Sequence, residues 1–313
     1  MENPAHSCDA ISPRDLIIII SVIIIWGFNF VPMIYALNDL TPIQLGAGRF
    51  LLASLPFLVF VSRPLFPLRW LFLYAATQGF GQFMLLFIAL NIGMSAAVAS
   101  LLMQVQVFYT ALLGVLLLGE SLSRALKIGL MVSGVGLSCF IVSVLGAGAT
   151  EAVTVVGLGL TLTASMMWAI SNIVIKKIHQ SGYSHDPLST VVWAGLISGL
   201  MFLVTSLSVE GNPIQQNWQE ASLRTWLSLL YLGVAANGIG YWVWARMLTR
   251  YPASRVAPFS LGVPVVGMIA GVVVLDETVS ALEWVGAALI MTALVFVVAE
   301  SRRAAKLVVT PKA

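Results

Sequence analysis

The sequence predicts an all-α integral membrane protein, with ten transmembrane helices arranged as two inverted five-helix repeats around a central cavity. Three observations predict this class: an apolar composition, ten apolar runs of spanning length, and an internal repeat. Hydrophobic residues make up 59% of the 313 positions and charged residues only 9%, whereas an average soluble domain is about 25% charged. So few charges cannot cover an aqueous surface. A soluble, disordered, disulfide-rich secreted or nucleic-acid-binding protein is therefore excluded.

The ten apolar runs are each long enough to cross a bilayer, whose core of about 30 Å needs roughly 20 helical residues. Turn residues or charges separate them, as at Asp186-Pro187. The first run carries no signal-peptide cleavage site and is expected to remain as a membrane span. The connections are mostly short, so neighbouring helices are expected to be antiparallel. The predicted spans are about 15–37, 42–62, 70–91, 95–118, 125–146, 156–176, 188–209, 223–246, 253–275 and 281–300.

Lysine and arginine are distributed unevenly between the two sides of the predicted membrane. The side that holds the N-terminus has 14 of the 16 basic residues, the other side has only Arg224, and Arg49 falls inside the second span. The positive-inside rule makes the basic side cytoplasmic. The sequence thus predicts a multi-pass protein of a bacterial-type inner (plasma) membrane, with a cytoplasmic tail at 1–14 and a basic cytoplasmic tail at 301–313.

The chain resembles itself when it is shifted by 157 residues. Gly114 then meets Gly271 and Glu120 meets Glu277, where Gly-Glu-Ser-Leu-Ser at 119–123 matches Asp-Glu-Thr-Val-Ser at 276–280. The first repeat is predicted at 15–150, with spans one to five, and the second at 151–300, with spans six to ten. Because five is odd, the second copy must enter the membrane in the opposite orientation. Inverted repeats are a recurring plan of secondary transporters.

Motifs for enzymatic chemistry are absent from the sequence. It has no phosphate-binding G-x-x-x-x-G-K-[ST], no G-x-G-x-x-G, no G-x-S-x-G and no H-E-x-x-H. The histidines, His6, His179 and His185, fall in predicted cytoplasmic segments, and the two cysteines, Cys8 and Cys139, do not form a metal-binding pattern. The prediction is a protein that is not an enzyme and uses no cofactor, metal or ATP. Its expected partners are the lipid bilayer and a small-molecule substrate, not nucleic acid.

Polar and aromatic side chains lie within about two turns of mid-membrane in five of the predicted spans. A buried amide there either faces a cavity or makes an interhelical hydrogen bond, worth about 0.6 kcal/mol on average. On a regular helix Gln104 and Gln106 lie on nearly opposite faces, so at most one is expected to face a given cavity. As a set, amides with aromatic rings suit a small zwitterion or metabolite. The predicted substrate-binding residues are Trp26, Asn29, Gln78, Gln82, Gln104, Gln106, Trp168, Asn172, Asn237, Tyr241 and Trp242.

A few charged and helix-breaking residues have alternative interpretations. Arg49, about 10 Å below the outer face, either reaches the outer interface and helix carbonyls or attracts a substrate carboxylate. Glu120 and Glu277 are predicted as structural span ends that stabilise the N-terminus of the next helix, with a coupling role as the alternative. The ninth span contains residues that either pack closely or bend to gate the cavity. These predicted hinge residues are Pro258, Gly262 and Pro264.

Several sequence segments carry a family resemblance. They are Trp-Gly-Phe-Asn-Phe at 26–30, Pro42, Arg-Phe at 49–50, Ala-Ser-Leu-Leu at 99–102 with Gln104 and Gln106, and Leu-Gly-Glu at 118–120. The second half adds Arg-Val-Ala-Pro at 255–258, Pro-Val-Val-Gly at 264–267 and Leu-Asp-Glu at 275–277. With these the chain resembles the EamA family of the drug/metabolite transporter superfamily, especially its O-acetylserine/cysteine exporters, with the aromatic amino-acid exporters as relatives.

That resemblance implies a ten-helix fold, a central cavity and export of amino acids or related metabolites. Together with the inverted repeat, it leads us to expect a secondary transporter that works by alternating access. Two alternatives remain open at the level of sequence. One is a broad-specificity drug or metabolite exporter, and the other is a membrane-embedded receptor or scaffold without transport.

Overall fold

The computed structural model describes residues 11–120, 123–145, 154–183, 186–210, 216–251 and 253–309. Every regular element in these ranges is a helix. Nine of the helices in the described part are long and apolar enough to cross a membrane, which confirms the all-α, multi-pass class. The predicted repeat boundary at 150–151 lies outside the described residues, as do most of the tail at 1–14 and the last four residues of the tail at 301–313.

Ten helices are labelled here in chain order. Most begin and end within a few residues of the predicted spans, but the last one continues well beyond 300. The helices are α1, Pro13–Leu37; α2, Pro42–Phe60; α3, Leu68–Asn91; α4, Ala96–Leu118; α5, Arg124–Leu145; α6, Val155–Gln180; α7, Pro187–Val209; α8, Leu223–Arg250; α9, Gly262–Val274; and α10, Ala281–Val309.

Several helices begin at the capping residues and prolines that the sequence contains. The side chain of Thr41 accepts from the backbone N–H of Gln44, and the Gln44 side chain accepts from the Thr41 N–H, which forms a capping box just before Pro42. Asp186 accepts from the N–H of Ser189 in the same way before Pro187. Proline at the first helical position loses no hydrogen bond, because its N–H would have no partner there.

The ninth predicted span, 253–275, is not one continuous helix. A short helix, Ala253–Val256, leads into a tightly wound 3-10 segment, Ala257–Leu261, and only then does α9 begin. The apolar part, Phe259–Val274, is shorter than the other nine spans. Pro258 lies in the 3-10 segment, where its missing N–H and fixed φ disfavour a regular α-helix.

Irregular windings recur in the two halves of the chain. In α3 the segment Ala75–Gly81 is a π-helix, and in α8 the segment Tyr231–Ile239 is another. Shifting the first by 157 residues places it inside the second. Likewise α4 contains a 3-10 turn at Met103–Val105, and the same shift takes it to the region where the 3-10 segment meets α9. Segments of π-helix are frequent at functional sites.

Helices α1 and α8 are tied together at both ends. Near the start of α1, Asp15 accepts two hydrogen bonds of 3.0 Å from the guanidinium of Arg250. Just beyond the end of α1, Asp39 accepts from the hydroxyls of Ser222 and Thr225, each at 2.6 Å. These hydrogen bonds hold the pKa of Asp39 below its usual range. Because the bonds lie at opposite ends of α1, the two helices are expected to move as a pair.

Small residues allow the outer helices to approach closely. A Cβ at Gly136 of α5 would lie 2.9 Å from the carbonyl oxygen of Gly286 in α10. A Cβ at Gly195 of α7 would lie 2.5 Å from the Ser54 hydroxyl of α2. Such glycine contacts are typical of helix pairs in membranes. They hold α5 against α10 and α7 against α2, around the helices that line the interior.

Candidate functional site

A cavity of about 450 Å³ lies at the centre of the helices. Its walls come from α1, α3, α4, α6, α8 and the α9 region, and the first five of these contain the predicted substrate-binding residues. Helix α2 adds one side chain, that of Arg49. A volume of this size is within the range of small-molecule sites, roughly 300–1,000 Å³.

Ten of the eleven predicted substrate-binding residues line this cavity, and one does not. Trp242 is 48% exposed on the outer surface of the protein, so its assignment to the cavity is wrong. It follows Tyr241 directly in the chain, and one residue on a helix turns the side chain by about 100°. The ten that line the cavity are Trp26, Asn29, Gln78, Gln82, Gln104, Gln106, Trp168, Asn172, Asn237 and Tyr241.

The expectation that at most one of Gln104 and Gln106 faces the cavity is also wrong, since both line it. The 3-10 turn at Met103–Val105 explains the difference. A 3-10 helix turns by about 120° per residue rather than about 100°. Over two residues, this larger rotation brings the side chains at positions i and i+2 closer to the same face than they would be on a regular α-helix.

Sequence reasoning missed several cavity residues. Tyr74 precedes Gln78 by one turn, and Trp244 follows Tyr241 by three positions, so helical periodicity could have found both. Ser100 and Ser260 carry no such signal. The other missed lining residues are apolar: Phe30, Met33, Phe83, Leu86, Met103 and Val263.

Some of the predicted cavity amides are hydrogen-bonded between helices. The Asn172 side chain of α6 donates to Gln106 Oε1 at 2.8 Å and to the Thr110 hydroxyl at 3.1 Å, both on α4. Trp26 Nε1 donates to the carbonyl oxygen of Ala236 at 2.9 Å. Both interpretations of these side chains from the sequence apply at once, because they line the cavity and also form hydrogen bonds between helices.

Aromatic rings form one side of the cavity. The ring of Trp26 lies 5.1 Å from that of Tyr241 and 5.2 Å from that of Trp244, both on α8. Tilted rings at these distances stabilise each other beyond their buried area. The result is a fixed aromatic surface that can hold an apolar side chain or lie against a cation.

Arg49 is the only charged side chain among the described residues that line the cavity. It is 2% exposed, and its Nη2 donates to Asn237 Oδ1 at 3.1 Å. Its guanidinium carbon lies 4.3 Å from the centre of the Phe83 ring. The nitrogens Nε and Nη1 are buried without a hydrogen-bond partner. The interpretation in which Arg49 reaches the outer interface or bonds helix carbonyls is therefore wrong.

Two residues that line the cavity also have amide oxygens without partners. Asn29 Oδ1 and Gln82 Oε1 are buried and accept no hydrogen bond. Buried polar atoms are usually paired, because an unpaired one loses its bond to water and gains nothing in return. Like the two arginine nitrogens, these oxygens are enclosed by the protein and do not face the open space of the cavity.

The predicted span-end carboxylates have structural partners, but not the expected ones. Glu277, after α9, accepts from the Ser95 hydroxyl at 2.8 Å and from the N–H groups of Ala96 and Ala97 at 2.7 and 2.8 Å. It caps the start of α4, not the following helix α10. Glu120, after α4, instead accepts two bonds of 3.0 Å from Lys176 of α6.

The predicted hinge residues lie around the start of α9, next to the cavity residues Ser260 and Val263. Pro264 is buried, and its carbonyl oxygen is 3.4 Å from the Ser100 hydroxyl of α4. A Cβ at Gly262 would lie 2.8 Å from Ile23 of α1. The break in the helix therefore lies where α9 approaches both α4 and α1.

Comparison with known proteins points to one family. The EamA-like transporter family matches residues 14–142 and 155–299 of the chain. A probable amino-acid metabolite efflux pump of Salmonella typhimurium is 40% identical over 284 residues, covering 90% of this chain and 94% of that protein. The Escherichia coli protein of the same description is 39% identical over 286 residues, with the same coverage.

A solved structure adds evidence for the fold. One crystal structure matches with a TM-score of 0.60 over 94% of this chain and 98% of that one, at 19% identity. A likeness at this identity shows a shared fold. The two ranges that match the family span most of the chain, and the described residues contain apolar helices long enough to cross a membrane. The chain therefore belongs to the EamA-like transporter family and is a multi-pass membrane transporter.

Proposed function

We propose that this protein exports amino acids and related small metabolites across the inner membrane as a secondary transporter. The observation that carries the proposal is the central cavity of about 450 Å³, walled by amides and aromatic rings with a single guanidinium. Amides can donate or accept hydrogen bonds, and aromatic faces accommodate apolar groups or cations. The relatives described as probable amino-acid metabolite efflux pumps support the same substrate class.

The proposed architecture is ten membrane spans in two inverted repeats, with α9 and the segment before it as the ninth span. Two features support the repeat. The π-helices of α3 and α8 are 157 residues apart, and so are the turns that end α4 and α9. In those turns the N–H of Glu120 donates to Gly114 at 3.1 Å, and that of Glu277 donates to Gly271 at 3.2 Å.

The proposed mechanism is alternating access. Two equivalent carboxylates have different partners: Glu277 binds the start of α4, whereas Glu120 binds Lys176. In two inverted repeats this difference corresponds to two halves in different conformations. If the halves exchange conformations, the cavity opens to the opposite side of the membrane. In the exchanged state we expect Glu277 to release Ser95 and the N-terminus of α4.

The ten predicted residues that line the cavity are proposed to contact the substrate. The break before α9, with Pro258, Gly262 and Pro264, is proposed as the bending point that moves with the gate. The position of this break supports the role. The 3-10 segment lies next to the cavity, and a short 3-10 helix is less stable than an α-helix. The N- and C-termini are proposed to be cytoplasmic, on the positive-inside argument.

Counterflow in liposomes tests the function. Vesicles that contain the purified protein are loaded with unlabelled L-serine, L-cysteine, L-leucine or L-phenylalanine, then diluted into a trace of the same labelled amino acid. A carrier exchanges internal for external molecules, so transient accumulation of label is expected without ATP, in contrast to protein-free vesicles.

The outcome separates the three candidate functions. Accumulation of at least one amino acid supports the proposal. Accumulation of the lipophilic cation tetraphenylphosphonium without any amino acid would indicate a broad drug exporter. No accumulation of any of them, with the protein folded in the vesicles, would contradict transport and favour a receptor or scaffold.

A further inference from the structure

We propose that a small pocket beside the central cavity is a subsite for the end of the substrate's side chain. It favours an apolar chain that ends in a methyl group over one that ends in a hydroxyl group. This inference rests on the proposed function, because it assumes that the central cavity holds the substrate. It adds a criterion by which substrates are selected, namely the length and polarity of their side chain.

This side pocket has a volume of about 20 Å³ and lies between α2, α3, α7 and α8. Protein interiors contain few voids larger than a water molecule, and a space of this volume accommodates one group of about that size. A terminal methyl group, which is close in size to a water molecule, fits such a space. The residues that line it are Phe50, Ala53, Gln78, Phe83, Leu188, Val191, Val192, Gly195, Asn237 and Tyr241.

The side pocket adjoins the central cavity. Four residues line both spaces and form the boundary between them: Gln78, Phe83, Asn237 and Tyr241. Phe83 and Asn237 are held by their contacts with Arg49, whereas the Gln78 side chain has three rotatable bonds. In this proposal, rotation of Gln78 lets a substrate side chain pass from the central cavity into the side pocket.

The chemistry of the side pocket differs from that of the boundary. The six residues that line the side pocket but not the central cavity have no polar atom in their side chains. They are Phe50 and Ala53 of α2 and Leu188, Val191, Val192 and Gly195 of α7. A hydroxyl group among these side chains gives up its bonds to water without replacement, which is costly, whereas burial of an apolar group is favourable. The inner end of the pocket therefore selects an apolar group.

Aromatic packing fixes the walls of the side pocket. The ring of Phe50 stands edge-on to that of Phe83, with centres 5.3 Å apart, and stacks on that of Phe202 of α7 at 6.0 Å. Val192 and Ala53 are buried, at 3% and 6% exposure. Close-packed walls do not yield to extra volume without strain. The pocket therefore limits the length of the chain that it admits.

Two substitutions change the side pocket without touching a residue that lines the central cavity. Val192→Ala removes two carbon atoms from the wall and enlarges the pocket, and Ala53→Val adds two and fills it. The matched controls are Val204→Ala, on the same helix as Val192, and Ala288→Val on α10. Both control residues are exposed on the outer surface of the protein.

A homologous series of amino acids measures the subsite. Purified protein in lipid nanodiscs is titrated with L-alanine, L-2-aminobutyrate, L-norvaline, L-norleucine and L-2-aminoheptanoate, each one methylene longer than the last. L-serine, L-homoserine and L-5-hydroxynorvaline carry a hydroxyl group in place of the terminal methyl group of the second, third and fourth members. Binding is measured by tryptophan fluorescence and by the shift in thermal unfolding temperature, and counterflow of the same compounds is measured in liposomes.

For the unchanged protein, affinity should rise about fourfold with each methylene until the side pocket is filled, and then stop rising. The tightest-binding member should bind about tenfold more tightly than its hydroxyl counterpart. Val192→Ala should raise the affinity of the next longer member, relative to that one, by about fourfold. Ala53→Val should weaken the tightest-binding member about tenfold and leave L-alanine, which does not reach the pocket, unchanged. Both controls should keep the affinity ratios of the unchanged protein.

The proposal is overturned if the unchanged protein binds all members of the series equally or binds none, or if the alcohols bind as tightly as their methyl counterparts. It is also overturned if Val192→Ala leaves the affinity ratios unaltered, or if Val204→Ala alters them equally. Where Ala53→Val does not fold, Val192→Ala decides alone, because a ratio within one protein does not depend on the folded amount. Counterflow with ratios that Val192→Ala does not alter would retain the transporter and reject the subsite, whereas altered binding ratios without counterflow would do the opposite.

Discussion

Individual side chains of the same chemical type have different roles in this cavity. Asn172 and Gln106 bond to each other across α4 and α6, so they hold the wall together. Asn29 and Gln82 also line the cavity, but each keeps an enclosed amide oxygen without a partner. The two pairs have the same residue types, and only the presence of a neighbouring donor separates an amide that links two helices from one that does not.

Two tryptophans provide a matched test at this scale. Trp168 lines the cavity, while Trp242 points to the outer surface. Trp168→Ala should lower the rate of amino-acid counterflow by about tenfold, because an aromatic contact with a ligand is worth on the order of 1 kcal/mol or more. Trp242→Ala should keep the rate close to that of the unchanged protein. Equal losses in both variants, measured at equal amounts of folded protein, would contradict the assignment of the cavity wall.

At the scale of an element, the turns that end α4 and α9 depend on a glycine six residues before a glutamate. A Cβ at Gly271 would lie 2.5 Å from Glu277 Oε2 and 2.8 Å from the backbone nitrogen of Ala97. A Cβ at Gly114 would collide with Glu120 Oε2 in the same way. The absent side chain therefore makes room for the carboxylate, and at Gly271 it also lets α4 and α9 approach each other.

This geometry predicts the effect of adding one methyl group. Gly271→Ala should reduce the free energy of unfolding by about 1–3 kcal/mol, since the new Cβ has to displace the carboxylate or the start of α4. Gly134→Ala is the control, because Gly134 lies on α5 with open space around its Cβ position. That substitution should be neutral or stabilising by up to about 1 kcal/mol. Thermal unfolding in nanodiscs checks the prediction. Equal losses of stability in both variants would contradict it.

At the scale of the whole molecule, the proposed orientation in the membrane rests on charge rather than on packing. The connection between α1 and α2 carries no lysine or arginine, whereas the connections after α2 and α6 lie next to basic residues. With cytoplasmic termini, the first of these connections is outside the cell and the other two are inside. The tie between α1 and α8 and the pairing of α5 with α10 are independent of that assignment.

Cysteine labelling in whole cells tests the orientation. In a chain that carries Cys8→Ser and Cys139→Ser, Asn38→Cys should react with a membrane-impermeant thiol reagent. Leu65→Cys and Ser181→Cys should react only after the cells are permeabilised. All three positions are exposed on the surface of the protein, so their intrinsic access is comparable. Labelling of Leu65→Cys and Ser181→Cys, but not Asn38→Cys, in intact cells would reverse the proposed orientation.

The sequence by itself determined the membrane class and the ends of most helices to within a few residues. These features are local, since about 20 apolar residues, a proline or a capping serine specify a span without reference to the rest of the chain. Ten of the eleven residues predicted from their expected depth and helical face line the central cavity. The position of α9 followed from the same signals, and the helix breakers Pro258, Gly262 and Pro264 marked the region of the break.

Only the tertiary structure decided which polar atoms have partners. The 3-10 turn of α4 brought Gln104 and Gln106 to one cavity, and α2 contributed Arg49 to walls that otherwise come from six other helices. Glu277 accepts hydrogen bonds from the start of α4, which is 180 residues away in the chain. Hydrophobic periodicity cannot encode such contacts, because they depend on small changes in helix winding and on the approach of helices distant in sequence. At the scale of a hydrogen bond, a shift of about 1 Å separates a paired atom from a free one.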